Sequence, residues 1–263
     1  MFKPVKFYSA AESSPERGTR SKGRTMQTLG IIGSGNIGSA VARLAVASGM
    51  NVILANSRGP ESLHELTQEL GPLARAGTVK ETANDADAIV LAIPLLAVKG
   101  LPAGLLRHKL VLDTSNYYPF RDGRISELDT EIMTTSELVH EWLAGARHVK
   151  AFNNILAHHI PALARENGAT DRSALPIASD DVDAKGEAAE ILDRLGFDAL
   201  DAGMLSDTWK FEPESAGYTR VYLADPNTPD NQLLSSEAGA TSAAQLNVAL
   251  AHATRVKVAD RLV

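Results

Sequence analysis

The sequence predicts an α/β protein with a doubly wound parallel sheet, followed by a small C-terminal α/β lobe and an extended C-terminal arm. Three observations lead to this prediction. A short apolar run, Leu29 to Ile32, stands directly before a cluster of glycines. Further apolar runs alternate with segments of helical periodicity, a pattern typical of parallel strands joined by helices. Beyond Gly203 the pattern loosens, which indicates the arm.

The first strand, a tight turn and a helix are predicted at the glycine cluster. Gly33, Gly35 and Gly38 follow the apolar run with the spacing G-x-G-x-x-G. This spacing is typical of Rossmann-type dinucleotide sites. The first glycine turns tightly, the second lets the backbone approach a pyrophosphate, and the third lets the helix pack closely on the strand. The N-terminus of that helix would offer its free N–H groups to the diphosphate.

The second strand indicates which dinucleotide binds. It begins at Asn51, is apolar over 52–55 and ends in Asn56, Ser57 and Arg58, about twenty residues after Gly38. Sites that prefer NAD usually place Asp or Glu here, against the ribose 2′-hydroxyl. A hydroxyl and a guanidinium instead supply donors and positive charge for a 2′-phosphate. We therefore expect NADP rather than NAD.

The following elements alternate in type. In order, they are a helix over 61–70, a strand over 76–79, a short helix over 81–86, a strand over 88–93, a helical segment through Leu106 and a strand over 109–114. Ligands of such sheets bind at the carboxyl ends of the strands. This rule predicts that residues 93–95 and 115–116 border a nicotinamide pocket.

The second half begins with a helix that Ser136 is expected to cap. The later predicted elements are strands over 148–155, 175–178 and 197–200, a helix over 184–195 and a terminal helix over 243–259. The expected units are a disordered extension over 1–25, an NADP-binding Rossmann domain over 26–147, a smaller lobe over 148–217 and an arm with a terminal helix over 218–263. Met26, directly before the first strand, is the expected natural start.

Composition limits the classes of function. The chain has 263 residues, 44% of them hydrophobic, with a formal net charge of −6 and no cysteine. These values are those of an ordinary soluble globular protein. The lack of cysteine excludes disulfides and cysteine nucleophiles and fits a cytoplasmic location. The acidic charge argues against a nucleic-acid partner, and no apolar run approaches the roughly 18 residues of a membrane span.

Six stretches of the sequence resemble the coenzyme F420-dependent NADP oxidoreductase family. They are residues 33–38, 56–58, 91–94, 111–116, 149–153 and 195–203, within about residues 26–212. The glycine turn occurs in many families, whereas Ser57-Arg58 and residues 150–153 at these separations are more specific. The resemblance implies hydride transfer between C4 of the nicotinamide and C5 of the deazaflavin coenzyme F420. The protein would supply orientation and exclude water, so no catalytic side chain is assigned.

The resemblance also implies roles for individual residues. It places 34–37 on the pyrophosphate, Ser57 and Arg58 on the 2′-phosphate, and Asn153, Asn154 and Ala157 where the hydride partner stacks. The complete expected cofactor-binding set is Gly33, Ser34, Gly35, Asn36, Ile37, Gly38, Asn56, Ser57, Arg58, Ile93, Pro94, Leu95, Asn116, Asn153, Asn154 and Ala157.

Two segments depart from the family pattern and keep other hydride partners open. Residues 117–123 insert aromatic bulk beside the expected substrate cleft, and the chain after Gly217 is longer than the core fold requires. One alternative is an NADPH-dependent reductase of a flavin or of a small carbonyl or imine. Another, of a different class, is a non-catalytic NADPH-sensing regulator. In every case we expect a small-molecule partner, and packing of the terminal segment on a second subunit would give a homodimer.

The histidines and Lys150 suggest structural roles rather than chemistry. His158 and His159 are adjacent, so on a helix they diverge by about 100° and cannot share one ion. We expect no metal site. His140 and His148 are expected at the surface, and Lys150 at a solvated strand edge.

Overall fold

A parallel sheet of six strands forms the centre of the protein. The computed structural model describes residues 27–261, apart from the side chain of Asp260. The strands of the large sheet are β1 (Thr28–Ile32), β2 (Asn51–Ala55), β3 (Ala74–Ala76), β4 (Ala88–Leu91), β5 (Leu110–Asp113) and β6 (Arg147–Lys150). Their order across the sheet is β3-β2-β1-β4-β5-β6. The chain moves outwards from β1, then returns to its other side, which is the doubly wound order. The predicted fold class is confirmed.

Helices cover both faces of this sheet. They are α1 (Asn36–Ala47), α2 (His64–Leu70), α3 (Val79–Asp85), α4 (Leu95–Lys99), α5 (Pro119–Asp122), α6 (Ser126–Asp129), α7 (Thr135–Trp142), α8 (His159–Leu163), α9 (Val182–Arg194) and α10 (Ala243–Ala251). Successive strand residues face opposite sides. Ile31 packs with Val41 of α1 on one face, and Ile32 packs with Val139 of α7 on the other. Burial on both faces explains the unbroken apolar sequence of the central strands.

A smaller parallel pair extends the fold. Strands β7 (Ala174–Ile177) and β8 (Asp198–Asp201) pair with each other, and α9 connects them. One antiparallel bridge between Lys150 and Ala178 ties this pair to β6. The expected unit boundary at 147/148 therefore falls inside β6.

The arm over 218–261 consists mainly of short turns. Its 3-10 turns are Thr219–Tyr222, Asp230–Ser235 and Val258–Asp260, and α10 is its α-helix. The prediction that this helix runs to residue 259 is wrong, because it ends at Ala251. The β-branched residues Thr254, Val256 and Val258 that follow are poor helix formers.

Several predicted boundaries were also wrong. A reciprocal capping box between Thr78 and Glu81 starts α3 at Val79, so β3 lies earlier than expected. A second capping box begins α7 at Thr135, with Thr134 rather than Ser136 as the cap. Strand β6 ends at Lys150, since Phe152 takes a φ of 58° and turns the chain.

The predicted extension over 1–25 and the start at Met26 lie outside the described residues. Within 27–261, no helix has both the length and the apolar character needed to cross a membrane.

Candidate functional site

A groove opens at the carboxyl ends of β1, β2 and β4. It encloses about 390 Å³ and is lined by Ile32, Gly33, Ser34, Gly35, Asn56, Ser57, Arg58, Val79, Ala92, Ile93, Pro94, Ala97 and Leu101. This is the edge at which open α/β sheets bind their ligands. Eight of the sixteen expected site residues therefore share one cavity.

The three motif glycines meet different surroundings. Gly33 has a φ of 112°, and a Cβ there would lie 2.1 Å from the carbonyl oxygen of Ala92. A Cβ on Gly38 would lie 1.9 Å from the carbonyl oxygen of Gly33. By contrast, a Cβ on Gly35 would meet no atom of the described chain within 4 Å. Packing thus requires the first and third glycines, whereas the second faces open space that a ligand can fill.

The N-terminus of α1 points its free backbone donors towards that space. Gly35 is the N-cap residue, and within the described chain no side chain caps it. The first-turn N–H groups, including those of Asn36 and Ile37, have no intrahelical acceptors. Together with the positive end of the helix dipole, they form an arrangement that binds a pyrophosphate.

Asn56 organises the loop that follows β2. Its Nδ2 donates to Ser34 Oγ at 3.0 Å and to Ser62 Oγ at 2.9 Å, and its Oδ1 accepts from the backbone N–H of Arg58 at 2.9 Å. This network leaves Ser57 and Arg58 exposed on the groove. Within residues 27–261, no acidic side chain pairs with the Arg58 guanidinium, so the groove holds an uncompensated positive charge.

The residues expected at the nicotinamide lie at different depths. Ile93 and Pro94 line the groove. Leu95 begins α4, and its side chain is fully buried in the core beneath the groove. Leu95 thus supports the wall from behind rather than forming its surface.

Asn116 and Asn153 form a reciprocal amide pair after β5 and β6. Asn116 Nδ2 donates to the carbonyl oxygen of Asn153 at 2.7 Å, and Asn153 Nδ2 donates to Asn116 Oδ1 at 3.2 Å. Asn153 Nδ2 also donates to the carbonyl of Phe211 at 2.9 Å. The structure therefore brings the two residues together, with Asn153 only 4% exposed.

Asn154 and Ala157 lie deeper and further along the chain. Asn154 is fully buried, and its Nδ2 donates to the carbonyl of Gly217 at 2.8 Å and to Tyr222 Oη at 3.2 Å. The bond to Tyr222 ties the small lobe to the arm. Ala157 is half-buried in the loop before α8. A direct contact of either residue with a stacked ring stays a prediction.

A buried charge cluster lies under the amide pair, and the sequence-based interpretation missed it. Lys150 Nζ donates to Asp113 Oδ2 at 2.9 Å and to the carbonyl of Ser115, while the Ser115 N–H donates to Asp113 Oδ1 at 2.9 Å. His148 Nε2 lies 3.4 Å from Asp113 Oδ2. The expectations of a solvated Lys150 and a surface His148 are wrong, because both are buried by the elements that cover β6.

Electrostatics explains how this cluster tolerates burial. Burial opposes ionisation of Asp113, but the Lys150 ammonium and the hydrogen bond with His148 hold the pKa of that carboxyl well below its ordinary value. Burial lowers the pKa of His148, with Lys150 and His140 adding to the effect against the opposing pull of Asp113. The cluster therefore consists of an ion pair beside a neutral imidazole, and it fixes both backbone groups of Ser115.

Tyr118 and Tyr218 contact each other after the carboxyl end of β5. In the sequence they were identified only as members of the two segments that depart from the family pattern. The hydroxyl oxygens of Tyr118 and Tyr218 lie 2.6 Å apart. Nδ2 of Asn116 lies 3.4 Å from the Tyr218 oxygen. The aromatic insertion and the long arm were visible in the sequence as unusual segments. The contact between them depends on the path of the arm, which the sequence pattern does not predict.

The histidine pair has structural partners. The rings of His158 and His159 are 4.2 Å apart, and each ring places Nε2 at 2.9 Å from the carbonyl of Ser236. Among residues 27–261, no group of three or more His, Asp or Glu side chains is arranged to hold a metal ion.

Comparisons with known proteins indicate the family and the fold. Residues 28–117 match the family model for NADP oxidoreductase, coenzyme F420-dependent. The solved structure of a hypothetical protein from Sinorhizobium meliloti is 32% identical, with a TM-score of 0.61, over 72% of this chain and 92% of that one. A protein from Arthrobacter sp. FB24, proposed to be an F420-dependent NADP reductase, shares the fold at 22% identity. Its TM-score is 0.58, over 70% of this chain and 87% of that one.

A curated relative matches over a shorter region. Glyoxylate reductase of Thermococcus gammatolerans is 36% identical over 121 residues, which are 46% of this chain and 34% of that enzyme. The chain thus spans about a third of the length of this curated relative.

Proposed function

This chain belongs to the coenzyme F420-dependent NADP oxidoreductase family, and on that basis we propose that it transfers hydride between NADP(H) and a small organic acceptor. One observation supports this proposal most strongly. The open space beside Gly35 lies in the same groove as the Arg58 guanidinium, which no acidic side chain of residues 27–261 pairs with. A nucleotide that carries both a pyrophosphate and a 2′-phosphate would match both features.

The residues of the groove fit the whole nucleotide. The first-turn N–H groups of α1 would hold the pyrophosphate, and Ser57 with Arg58 would hold the 2′-phosphate. Val79, Ala97 and Leu101 would give an apolar wall for the adenine. Ile93 and Pro94 would exclude water beside the nicotinamide. When bound, NADPH supplies the hydride, and the chain supplies orientation and a dry site.

Two classes of acceptor follow from the family and the relatives. The family description names coenzyme F420, whose deazaflavin ring would accept hydride at C5. The matched relative is named as a reductase of glyoxylate, a small carbonyl compound. One structural observation favours the smaller class: Asn153 and Asn154 are 4% and 0% exposed, so a flat ring could contact their side chains only after the chain that covers them had moved.

NADPH oxidation by the purified full chain tests the proposal. Absorbance at the NADPH band is followed after separate addition of coenzyme F420, FMN, FAD and a panel of small carbonyl compounds. Oxidation with one class identifies the acceptor and supports the proposal. Binding of NADPH without oxidation in any mixture would contradict it and favour a non-catalytic NADPH sensor.

A further inference from the structure

The two segments that depart from the family pattern meet at one point. Tyr118 belongs to the aromatic insertion, and Tyr218 lies at the start of the arm, 100 residues later. Their hydroxyls contact each other beside Asn116, which follows the carboxyl end of β5. Ligands of this fold bind at that edge. The fold therefore places a pair of phenol groups where the second substrate of the proposed reaction would lie.

Asn116 determines which groups donate and which accept in the hydrogen bonds that link it to Tyr218 and Tyr118. Its Nδ2 contacts the carbonyl oxygen of Asn153 at 2.7 Å, and a carbonyl only accepts, which fixes the orientation of the amide. The second N–H of this nitrogen is then available to the Tyr218 oxygen, 3.4 Å away. Tyr218, accepting from Asn116, donates its own proton to Tyr118. Among residues 27–261, Tyr218 is the hydrogen-bond partner of the Tyr118 hydroxyl, so the Tyr118 proton can bond to a substrate.

The surroundings of the two hydroxyls differ. The Arg121 guanidinium carbon lies 4.8 Å from the centre of the Tyr118 ring, where a cation stabilises negative charge developing on the phenol. Arg121 is held there by Asp122, at 2.8 Å, and by the Asn116 carbonyl, at 2.8 Å. Burial raises the pKa of Tyr218, and the neighbouring Tyr118 adds to the effect, so Tyr218 remains a neutral donor.

We propose that Tyr118 is the proton donor to a small carbonyl or imine substrate, and that Tyr218 and Asn116 are residues that position it. This inference rests on the proposed function, since NADPH is the reductant. Hydride leaves C4 of NADPH with both bonding electrons and forms a C–H bond at the carbonyl or imine carbon. The π electron pair moves to the oxygen or nitrogen, which takes the Tyr118 proton. The phenolate then regains a proton from water, leaving NADP⁺ and an alcohol or amine.

The size of the substrate follows from what surrounds Tyr118. The Phe120 ring centre lies 5.7 Å from that of Tyr118, and Asn153 of the amide pair is held by the Phe211 carbonyl at 2.9 Å. A substrate at this position would contact the exposed edge of the phenol rather than a broad open face. This arrangement suits a compact carbonyl or imine group better than a tricyclic deazaflavin.

Steady-state kinetics with the full chain test the inference. The probes are glyoxylate, benzaldehyde, 1-pyrroline and coenzyme F420, each at saturating NADPH. The wild type is expected to reduce at least one carbonyl or imine with a solvent deuterium isotope effect on kcat. Tyr118→Phe is expected to lower kcat by about 10²- to 10⁴-fold, the usual contribution of a general acid, with the Kd for NADPH unchanged.

Three further variants separate a chemical role from a structural one. Tyr218→Phe is expected to lower kcat about ten-fold and to change its pH profile, because Tyr118 loses its partner. Arg121→Leu keeps the hydroxyl but removes the cation and is expected to lower kcat about ten-fold. Arg43→Leu is the control for Arg121→Leu. Arg43 pairs with Glu69 at 2.6 Å and takes no part in the groove lining, so kcat should not change.

Each contrary outcome identifies what has failed. Unchanged kcat in Tyr118→Phe, or turnover with coenzyme F420 alone, would overturn this inference and leave the proposed function standing. NADPH binding by the wild type is measured separately by fluorescence titration. Binding without reduction of any carbonyl or imine would also overturn the inference, whereas absence of binding would overturn the proposed function itself.

Discussion

Gly35 and Gly38 belong to the same motif, but the structure requires glycine at the two positions for different reasons. A methyl group on Gly38 would collide with the backbone of Gly33, whereas one on Gly35 would enter the open groove. Gly38→Ala is therefore expected to lower the free energy of unfolding by about 1–3 kcal/mol. Gly35→Ala should change it by less than about 0.5 kcal/mol, yet weaken NADPH binding. Urea denaturation and fluorescence titration measure the two quantities, and equal destabilisation by both variants would contradict the assignment.

Arg58 is expected to determine the preference for NADP. Arg58→Ala should weaken NADPH binding by about 1–3 kcal/mol, the contribution of a charge-assisted hydrogen bond, while leaving NADH binding nearly unchanged. Arg43→Ala is the control, since Arg43 pairs with Glu69 at 2.6 Å and takes no part in the groove lining. Titration of each variant with both nucleotides is the measurement. Equal losses for NADPH and NADH would argue against a 2′-phosphate contact.

For residues that lie close together in the sequence, spacing alone predicted which of them share the groove. The glycine motif, Asn56 and Arg58 lie within 30 residues of each other, and the structure brings them to one groove. The contact between Tyr118 and Tyr218 could not be predicted in this way. It spans 100 residues and depends on the path of an arm without regular periodicity. The partner of Lys150 was missed for a similar reason, since burial of β6 depends on the lobe that follows.

At the scale of elements, strands β5 and β6 are joined by a buried charge pair as well as by their backbone bonds. The side chains of Lys150 and Asp113 are both 0% exposed, and the pair fixes Ser115 directly before Asn116. Removing one partner leaves the other charge buried without compensation. Lys150→Met is therefore expected to lower the free energy of unfolding by about 3–5 kcal/mol.

A double variant checks that this loss comes from the uncompensated charge. Asp113→Asn combined with Lys150→Met removes both charges, so it should be less destabilised than Lys150→Met alone. Denaturation midpoints and m-values of Asp113→Asn, Lys150→Met, the double variant and the wild type are compared. A double variant as unstable as the sum of its single changes would show that the two side chains act independently.

Strands and helices with a clear hydrophobic pattern were predicted correctly as strand or helix, but their first and last residues were predicted wrongly. The apolar run of β4 is buried on both faces, and the helical period of α9 matches the structure. Ends depend on side-chain details that periodicity does not contain. The two capping boxes at Thr78 and Thr134 set helix starts, and the turn at Phe152 ends a strand that was predicted to run to residue 155.

For the whole molecule, the overall architecture follows from the sequence because each apolar run must be covered on two faces. The alternation of strands and helices therefore specified the doubly wound sheet. The same covering buries titratable side chains that look exposed in the sequence. His148 and His159 are 2% and 0% exposed, and burial lowers the pKa of each. Stability should consequently depend on pH.

The expected dependence lies on the acid side of neutrality. In the unfolded chain a histidine has a pKa of about 6.5, whereas in the folded protein the pKa values of His148 and His159 are lower. The unfolded state thus binds more protons below about pH 6.5. The free energy of unfolding should fall as the pH drops from 7 towards 5, by at most about 1.4 kcal/mol per pH unit for each histidine. Asp113, with its depressed pKa, adds a loss only below about pH 4.

Replacing one histidine at a time identifies the source of this slope. His148→Asn removes one of the two groups, so the fall between pH 7 and pH 5 should become shallower by up to about 1.4 kcal/mol per pH unit. Urea denaturation at pH 7, 6 and 5 measures the variant and the wild type. If His148→Asn keeps the full slope, the imidazole beside Asp113 and Lys150 is not held neutral by burial, and the description of that cluster as an ion pair beside a neutral ring fails.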